Sequence, residues 1–325
     1  MKATTNDFDF VVDTIENNYA GFPSKVTESN LREFESLTTS LRDSFLNAED
    51  HKRKEELLNA FLAFFNDKHI SIRANEAPPI ETGSTEPKPS FRRIDGDTVL
   101  ISIPSFLPVN YEAINNLIQE QHEVLTNTPN LILDLRGNGG GSDECFNSLL
   151  PYVCPESIKV IGADVRSTQG NIDYLRDLTT IHELPEEALL QIKALTALMA
   201  ENLGGFVEMV PTQTVELGEV FAKPLKVAIC IDKECASSTE QFLIFALESP
   251  KVVLFGENTA GCIDFSNIVP AQTPSKNWTL FYPISRSKRI PSKQIDGHGI
   301  EPHFRIDTES KELIDEVVKH LKKTS

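Results

Sequence analysis

The chain has 325 residues, of which 40% are hydrophobic and 24% charged, the balance of an ordinary globular protein with one large domain or two modest ones. Its net charge of −17 argues against binding nucleic acid or an anionic membrane through a basic surface. No apolar run approaches the roughly 20 residues of a membrane-spanning helix, and the five cysteines form neither a metal-spaced cluster nor an even set of disulfide partners.

The N-terminal part predicts a small helical domain over residues 1–75. Apolar residues recur at helical spacing over 7–19, 28–48 and 51–66, with turn signals between these segments. Residues 76–93 contain four prolines and predict a connection. No apolar segment typical of a signal peptide follows Met1. We therefore expect a cytoplasmic protein, or a periplasmic or secreted one if a leader has been removed.

From residue 94 to 325, predicted strands alternate with predicted helices, which indicates an α/β domain. Residues 166–215 are predicted to be an insertion into this pattern, and they carry a polar helix. The predicted strands cover 98–103, 131–135, 158–164, 225–231 and 251–255, with a hairpin-like segment at 278–284. The predicted helices cover 111–126, 144–153, 185–203, 238–248 and 310–322.

A glycine-rich turn follows the predicted strand at 131–135. The stretch NLILDLRGNGGGSDE, residues 130–144, has glycine at four of the five positions from 137 to 141. Glycine occurs where the backbone needs a positive φ or where another group approaches the main chain closely. The turn is therefore either a flexible loop or a cradle of backbone N–H groups for an anion or an oxyanion. A phosphate-binding P-loop is disfavoured, because no Gly-Lys-Ser/Thr follows.

A second turn, with the sequence CASSTEQ, follows the predicted strand at 225–231. Ser237 or Ser238 at this strand-to-helix turn is either an N-cap or a residue of an active site. The free N–H groups and the positive dipole end of a helix N-terminus stabilise a developing oxyanion. Two such turns on neighbouring strands, one rich in glycine and one carrying serine, would form a split oxyanion hole.

Four motifs occur in an order that resembles the tail-specific, or C-terminal processing, serine peptidases. They are DLRGNGGG, ASSTEQF, GENTAG and GHGIEPHF, and the resemblance covers roughly 60–305. It implies a ClpP/crotonase-like α/β domain preceded by the small helical domain. It also implies that Ser237 is the nucleophile and that the N–H groups of Gly140 and Ser238 bind the oxyanion. Glu240 matches a family glutamate, with either a supporting role or that of the acidic residue in a capping box.

The general base differs from that of many family members. They carry a lysine after the G-E-x-T motif, where this chain has Cys262, so a serine–lysine dyad is disfavoured and the cysteine is expected to be inert. The branch that resembles tricorn protease and the interphotoreceptor retinoid-binding protein modules has a histidine in its N-terminal part. His69 in NDKHISI matches that context, and Asp296 matches its orienting carboxylate. His298 is the rival base, although it lies too close to Asp296 in sequence to pair with it well.

We therefore expect a serine peptidase that acts by acyl transfer on a peptide or protein. The resemblance to C-terminal processing peptidases also implies cleavage near substrate C-termini. No metal or organic cofactor is implied. The alternative is a catalytically decayed protein that binds a peptide or an apolar ligand on the same scaffold. A coenzyme-A-type crotonase fits the fold but not the Ser237 motif. The basic run Arg286–Lys293 is either a site for a substrate carboxylate or a solvated face.

Overall fold

A computed structural model describes residues 6–75, 87–181, 184–307 and 312–323. The α-helices of these residues are α1 Asp7–Asn18, α2 Phe22–Lys25, α3 Leu31–Asn47, α4 His51–Ala63, α5 Tyr111–Glu120, α6 His122–Asn127, α7 Leu150–Val153, α8 Gln169–Ile181, α9 Glu186–Glu201, α10 Ser238–Ala246 and α11 Leu313–Lys323. The strands are β1 Ser71–Ala74, β2 Ser90–Arg93, β3 Thr98–Ser102, β4 Asn130–Asp134, β5 Ser157–Val160, β6 Ala163–Arg166, β7 Phe206–Val210, β8 Gln213–Glu216, β9 Lys226–Ile231, β10 Val252–Gly256, β11 Phe265–Gln272, β12 Trp278–Ser287 and β13 Phe304–Arg305. Two 3-10 helices cover Pro108–Asn110 and Asp143–Leu149.

The chain divides into two compact units that each combine three segments. The first unit contains the described residues of Met1–Gly83, Ile161–Pro211 and Asp264–Ser292. The second contains those of Ser84–Val160, Thr212–Ile263 and Lys293–Ser325. This division differs from the predicted one of 1–75, 76–93 and 94–325, because strands from the two later segments of the first unit join β1 in a single sheet.

The first unit is built on a five-stranded antiparallel sheet with the long strand β12 at its centre. β11 pairs with one edge of β12, and β1 and β6 follow one another along its other edge. β7 then pairs with β6. The N-terminal helices are amphipathic, and their apolar faces pack on this sheet in one core. That core includes Phe8, Val11, Ile15, Phe34, Phe45, Phe61, Trp278, Leu280 and Tyr282.

The second unit is built on a six-stranded sheet in the order β13-β10-β9-β4-β3-β2. All neighbouring pairs are parallel except the edge pair of β2 and β3. The alternation of side chains sends Leu131, Leu133 and Ile229 to one face and Ile132 and Ala228 to the other. Helices α5 and α10 cover the first face and α11 covers the second, so the sheet is buried on both sides, as parallel sheets require.

Several predicted elements differ in detail from the observed ones. The predicted helix 111–126 is two helices, α5 and α6, that meet at Gln121. The predicted helix 144–153 begins as the 3-10 helix Asp143–Leu149 and continues as α7. Most of the predicted connection 76–93 lies outside the described residues, and its last four residues form β2. No helix in the described part of the chain is both long and apolar enough to cross a membrane.

Candidate active site

The candidate site in the second unit lies at the carboxyl ends of parallel strands. β4 and β9 are neighbours, with Asp134 opposite Cys230, so the turns that follow them leave the sheet at the same edge. β10 pairs with the other side of β9 in parallel, and its following loop therefore leaves at that edge too. The carboxyl ends of parallel strands are where α/β sheets bind ligands. The glycine-rich turn, the serine turn and the GENTAG loop thus meet, as the sequence predicts for the first two.

Ser237 is the half-buried residue that precedes α10, and its backbone is strained. Its φ of 56° and ψ of −121° lie outside the regions that non-glycine residues ordinarily adopt. Its N–H is shared between the Cys262 carbonyl at 3.1 Å and Glu240 Oε2 at 3.3 Å. Strain of this kind costs about 1–3 kcal/mol and persists where the surroundings hold it, often at functional sites.

Gly140 packs directly against the serine turn. It has a φ of 92°, and a Cβ atom on it would lie 2.5 Å from the Ala236 carbonyl oxygen and 2.9 Å from both Ser237 Cβ and the Ser238 nitrogen. The Gly140 N–H donates to Asn138 Oδ1 at 3.0 Å. Among the hydrogen bonds of the described residues, none uses the Ser238 N–H. Of the two expected oxyanion donors, the Ser238 N–H therefore makes no hydrogen bond within the described residues, and the Gly140 N–H is bonded to Asn138.

Asn138 ties the glycine turn to its neighbours, a role that the sequence analysis missed. Its side chain is fully buried, donates to the Ile103 carbonyl at 3.0 Å and accepts from the Phe106 N–H and the Thr239 hydroxyl at 3.2 Å and 2.8 Å. Its backbone carbonyl accepts from the Ala236 N–H at 3.2 Å. The asparagine between the glycines was the available signal, since an amide can both donate and accept.

Glu240 does more than complete a capping box. Its carboxylate is fully buried and accepts from the Thr259 hydroxyl at 2.5 Å and from the N–H groups of Gly261 and Cys262 at 2.8 Å each. With the longer bond from Ser237, it therefore joins the start of α10 to the GENTAG loop. Thr259 extends this network, because its hydroxyl oxygen accepts from the Ile300 N–H at 2.7 Å.

Asp296 lies buried in the GHG turn of the second unit, where its Oδ1 accepts from the Ile263 N–H at 2.7 Å. The turn packs on the GENTAG loop through glycines, since the Gly297 N–H donates to the Gly261 carbonyl at 3.2 Å. The rival base His298 is exposed. His303 accepts from the Leu254 N–H through Nδ1 at 2.9 Å and so bonds to β10.

His69 lies in the first unit, is 9% exposed, and has a defined partner for one ring nitrogen. Its Nδ1 is 2.6 Å from the Phe265 carbonyl oxygen. Because a carbonyl can only accept, this contact places the proton on Nδ1 and leaves Nε2 as the basic nitrogen. A backbone carbonyl thus does here what the sequence analysis assigned to the carboxylate of Asp296.

The carboxylate bonded to His69 within the first unit is that of Asp67, which the sequence analysis did not single out. Asp67 Oδ1 accepts from the His69 N–H at 2.8 Å, and Asp67 Oδ2 accepts from the Tyr19 hydroxyl at 2.7 Å. Tyr19 is fully buried and packs edge-on against Phe65 and Phe265. The D-x-H spacing was the available signal, and this arrangement fixes the backbone of His69.

The part of the basic run that lies in the first unit, residues 286–292, is not an isolated cationic patch. Arg289 pairs with Asp264 at 3.3 Å, and both side chains are buried. Arg286 and Lys288 contact Asp164 at 3.6 Å each. A substrate carboxylate would have to compete with these acids.

The five cysteines are free and buried, in accordance with a reduced chain. The Cys262 N–H donates to Glu240, and the Cys262 carbonyl accepts from the Ser237 N–H. Cys262 therefore supports the serine turn through its backbone. Burial raises the pKa of Cys154 to about 12 and that of Cys235 well above its usual range, which keeps both thiols protonated and unreactive.

Comparison with known protein families gives a match over most of the chain. The model of peptidase family S41 matches residues 97–306, which include Gly140, Ser237 and Asp296. No curated protein sequence matches the chain.

Three solved structures share the fold at low sequence identity. A candidate peptidase from Parabacteroides merdae has 14% identity and a TM-score of 0.66, covering 99% of this chain and 97% of that one. A lipoprotein from Streptococcus agalactiae has 14% identity and a TM-score of 0.57, with 99% and 98% coverage. The photosystem II D1 C-terminal processing protease has 10% identity and a TM-score of 0.52, with 95% and 94% coverage. The predicted mixed α/β fold is confirmed.

Proposed function

The chain belongs to peptidase family S41, and from that premise we propose that this serine peptidase cleaves peptide bonds through an acyl-enzyme on Ser237. The observation that carries the proposal is the strained backbone of Ser237 at the N-terminus of α10, packed against the glycine turn and next to the unoccupied Ser238 N–H. A serine that served only as an N-cap would not need a positive φ, since N-caps ordinarily have extended backbone.

In the proposed reaction, His69 is the general base. Its Nε2 takes the proton of the Ser237 hydroxyl while Oγ attacks the scissile carbonyl carbon. His69 then gives that proton to the leaving amine as the C–N bond breaks, which leaves an ester on Ser237. A water molecule, deprotonated by the same nitrogen, hydrolyses the ester and restores the serine. The Nδ1 contact with the Phe265 carbonyl supports this assignment.

The tetrahedral oxyanion is bound by backbone N–H groups in this proposal. The Ser238 N–H is the principal donor, because it is free of other bonds in the described chain. Gly140 contributes by sharing the N–H that it gives to Asn138. Each oxyanion donor is worth roughly 3–4 kcal/mol where one has been removed from other enzymes. Because the Phe265 carbonyl occupies Nδ1 of His69, we assign the orienting role to that carbonyl in place of Asp296, and Asp67 fixes the backbone of His69.

The test of the nucleophile is a fluorophosphonate probe, which labels activated serines. We expect the wild-type protein to be labelled and Ser237→Ala to abolish labelling, with mass spectrometry of proteolytic peptides to locate the adduct. Labelling that persists in Ser237→Ala would exclude Ser237. A folded wild-type protein that takes no label would favour the alternative of a binding protein for a peptide or an apolar ligand.

The test of the base compares two histidines. His69→Ala is expected to lower kcat by orders of magnitude, and His298→Ala is expected to be mild because that side chain is exposed. A large loss of kcat in His298→Ala together with a small loss in His69→Ala would reverse the assignment.

Mass spectrometry of the products of protein substrates will show whether cleavage occurs near C-termini, as we propose.

A further inference from the structure

An open groove of about 360 Å³ in the second unit is not used by the proposed chemistry. Its walls are largely apolar, and two carboxylates, Asp143 and Glu216, lie along it. Among the residues that line it there is no lysine or arginine. Its volume is at the lower end of the range for small-ligand pockets, which suits a side chain.

The groove begins next to the proposed oxyanion donor. Asp143 follows the glycine turn by two residues, and its carboxyl lies beside the Ser238 hydroxyl. That hydroxyl donates to the Gly141 carbonyl at 2.8 Å and thereby fixes the start of the groove against the serine turn. Phe245, on α10, continues the wall away from Ser238. A peptide whose scissile carbonyl meets the Ser238 N–H would therefore have a neighbouring side chain at the mouth of the groove.

The charges in the groove favour a cation. Burial raises the pKa of Asp143, so its carboxylate is partly shielded from water, although part of the residue remains exposed. A substrate ammonium or guanidinium group would compensate it, and an acidic side chain would be repelled by both carboxylates. Lysine and arginine also carry long apolar stems that pack on apolar walls.

We propose that this groove receives a lysine or arginine side chain of the peptide substrate, adjacent to the bond that Ser237 attacks. The proposal rests on the serine-peptidase function proposed above and adds the substrate class to it. Asp143 and Glu216 are its specificity-determining residues.

The experiment uses the full chain and three internally quenched peptides that differ at one central residue. That residue is lysine, norleucine or glutamate. Norleucine keeps an unbranched apolar side chain without the charge of lysine, and glutamate carries the opposite charge. We expect kcat/KM for the lysine peptide to exceed that for the norleucine peptide by roughly tenfold or more, with the glutamate peptide poorest. Mass spectrometry of the products should place the cut next to lysine.

The double variant Asp143→Asn/Glu216→Gln should bring the lysine-to-norleucine ratio close to one. The matched control is Glu120→Gln/Glu123→Gln, which removes two exposed carboxylates of the same unit that do not line the groove and should leave the ratio unchanged. Circular dichroism checks that both variants fold.

Three results would overturn the groove assignment. They are equal cleavage of the norleucine and lysine peptides, a preference that survives the double variant, and fluorophosphonate labelling without cleavage of the lysine peptide. Failure of both labelling and cleavage in the folded wild-type protein would instead overturn the proposed function.

Discussion

At the scale of single residues, the buried carboxylate of Glu240 is the group on which the serine turn depends. It accepts from Thr259, Gly261 and Cys262 and, at a longer distance, from the Ser237 N–H. Glu240→Gln would replace one acceptor oxygen with an NH2 group that faces N–H donors. Leaving buried donors unsatisfied costs about 1–3 kcal/mol each, so we expect a loss of about 2–4 kcal/mol in the free energy of unfolding, measured by urea denaturation.

The matched control for this change is Glu248→Gln, an exposed glutamate that accepts from the Lys159 N–H at 3.0 Å. It should cost less than about 1 kcal/mol, because water can replace the lost bond. Fluorophosphonate labelling of Ser237 should fall in Glu240→Gln and not in the control. Equal stability of the two variants would show that the Glu240 network contributes little.

The predictability of individual residues follows from how local their signal is. Ser237 and Gly140 stand in motifs whose residue types indicate their chemistry. The glycine-rich turn and the serine turn that contain them were therefore predicted. Asn138 and Asp67 were missed as positioning residues, because their roles depend on groups brought together by the fold: Thr239 for one and Tyr19 for the other. The Nδ1 partner of His69 could not be predicted at all, since a backbone carbonyl has no sequence signature.

At the scale of elements, the glycine turn between β4 and the 3-10 helix is shaped by close approach as well as by positive φ. Gly140→Ala would force a Cβ atom against the Ala236 carbonyl and the Ser238 nitrogen, at 2.5 Å and 2.9 Å. Gly137 also has a positive φ, of 77°, but a Cβ on it would meet nothing within 4 Å. The two substitutions share the backbone strain of about 1–2 kcal/mol and differ in the steric clash.

We therefore expect Gly140→Ala to abolish peptidase activity and Gly137→Ala to retain most of it, with both measured on one quenched peptide. Thermal unfolding should show a modest loss for Gly137→Ala. Comparable activity in the two variants would mean that the turn can move away from Ser237 without consequence.

Elements with a regular hydrophobic pattern were predicted. Their boundaries and the segments that connect them were predicted less accurately. The hydrophobic strands β4, β9 and β10 and the helices α1, α3 and α4 match the predicted segments within a few residues. The segment before Leu150 was predicted as α-helix and is a 3-10 helix, which shares most of its sequence preferences. β2 was missed because an edge strand with three exposed residues has no clear alternation.

At the scale of the whole molecule, four ordered motifs were enough to predict the family, and the S41 match confirms it. The division of the chain was harder to predict, because the first unit is assembled from three separate segments. Helices α1, α3 and α4 read as an independent helical domain, since their own periodicity is complete. Their phenylalanines nevertheless share one core with strands from residues 161–211 and 264–292.

A truncated protein beginning at residue 90 tests this assembly. It would lack the helices that cover Trp278, which is 1% exposed, stacks on His51 and contacts Phe45. Each large apolar side chain that loses its burial forfeits about 1.5–3 kcal/mol, so we expect the remaining strands of the first unit not to fold.

Trp278 is the only tryptophan of the chain, and its fluorescence therefore reports on the first unit alone. We expect red-shifted emission in the truncated protein, as in denaturant, while hydrogen exchange still shows protected amides in β4 and β9, whose sheet is covered on both faces by helices from beyond residue 90. Peptidase activity should be absent, because His69 is removed. Blue-shifted emission would show that the later segments form their core without the N-terminal helices, and retained activity would remove His69 from the mechanism.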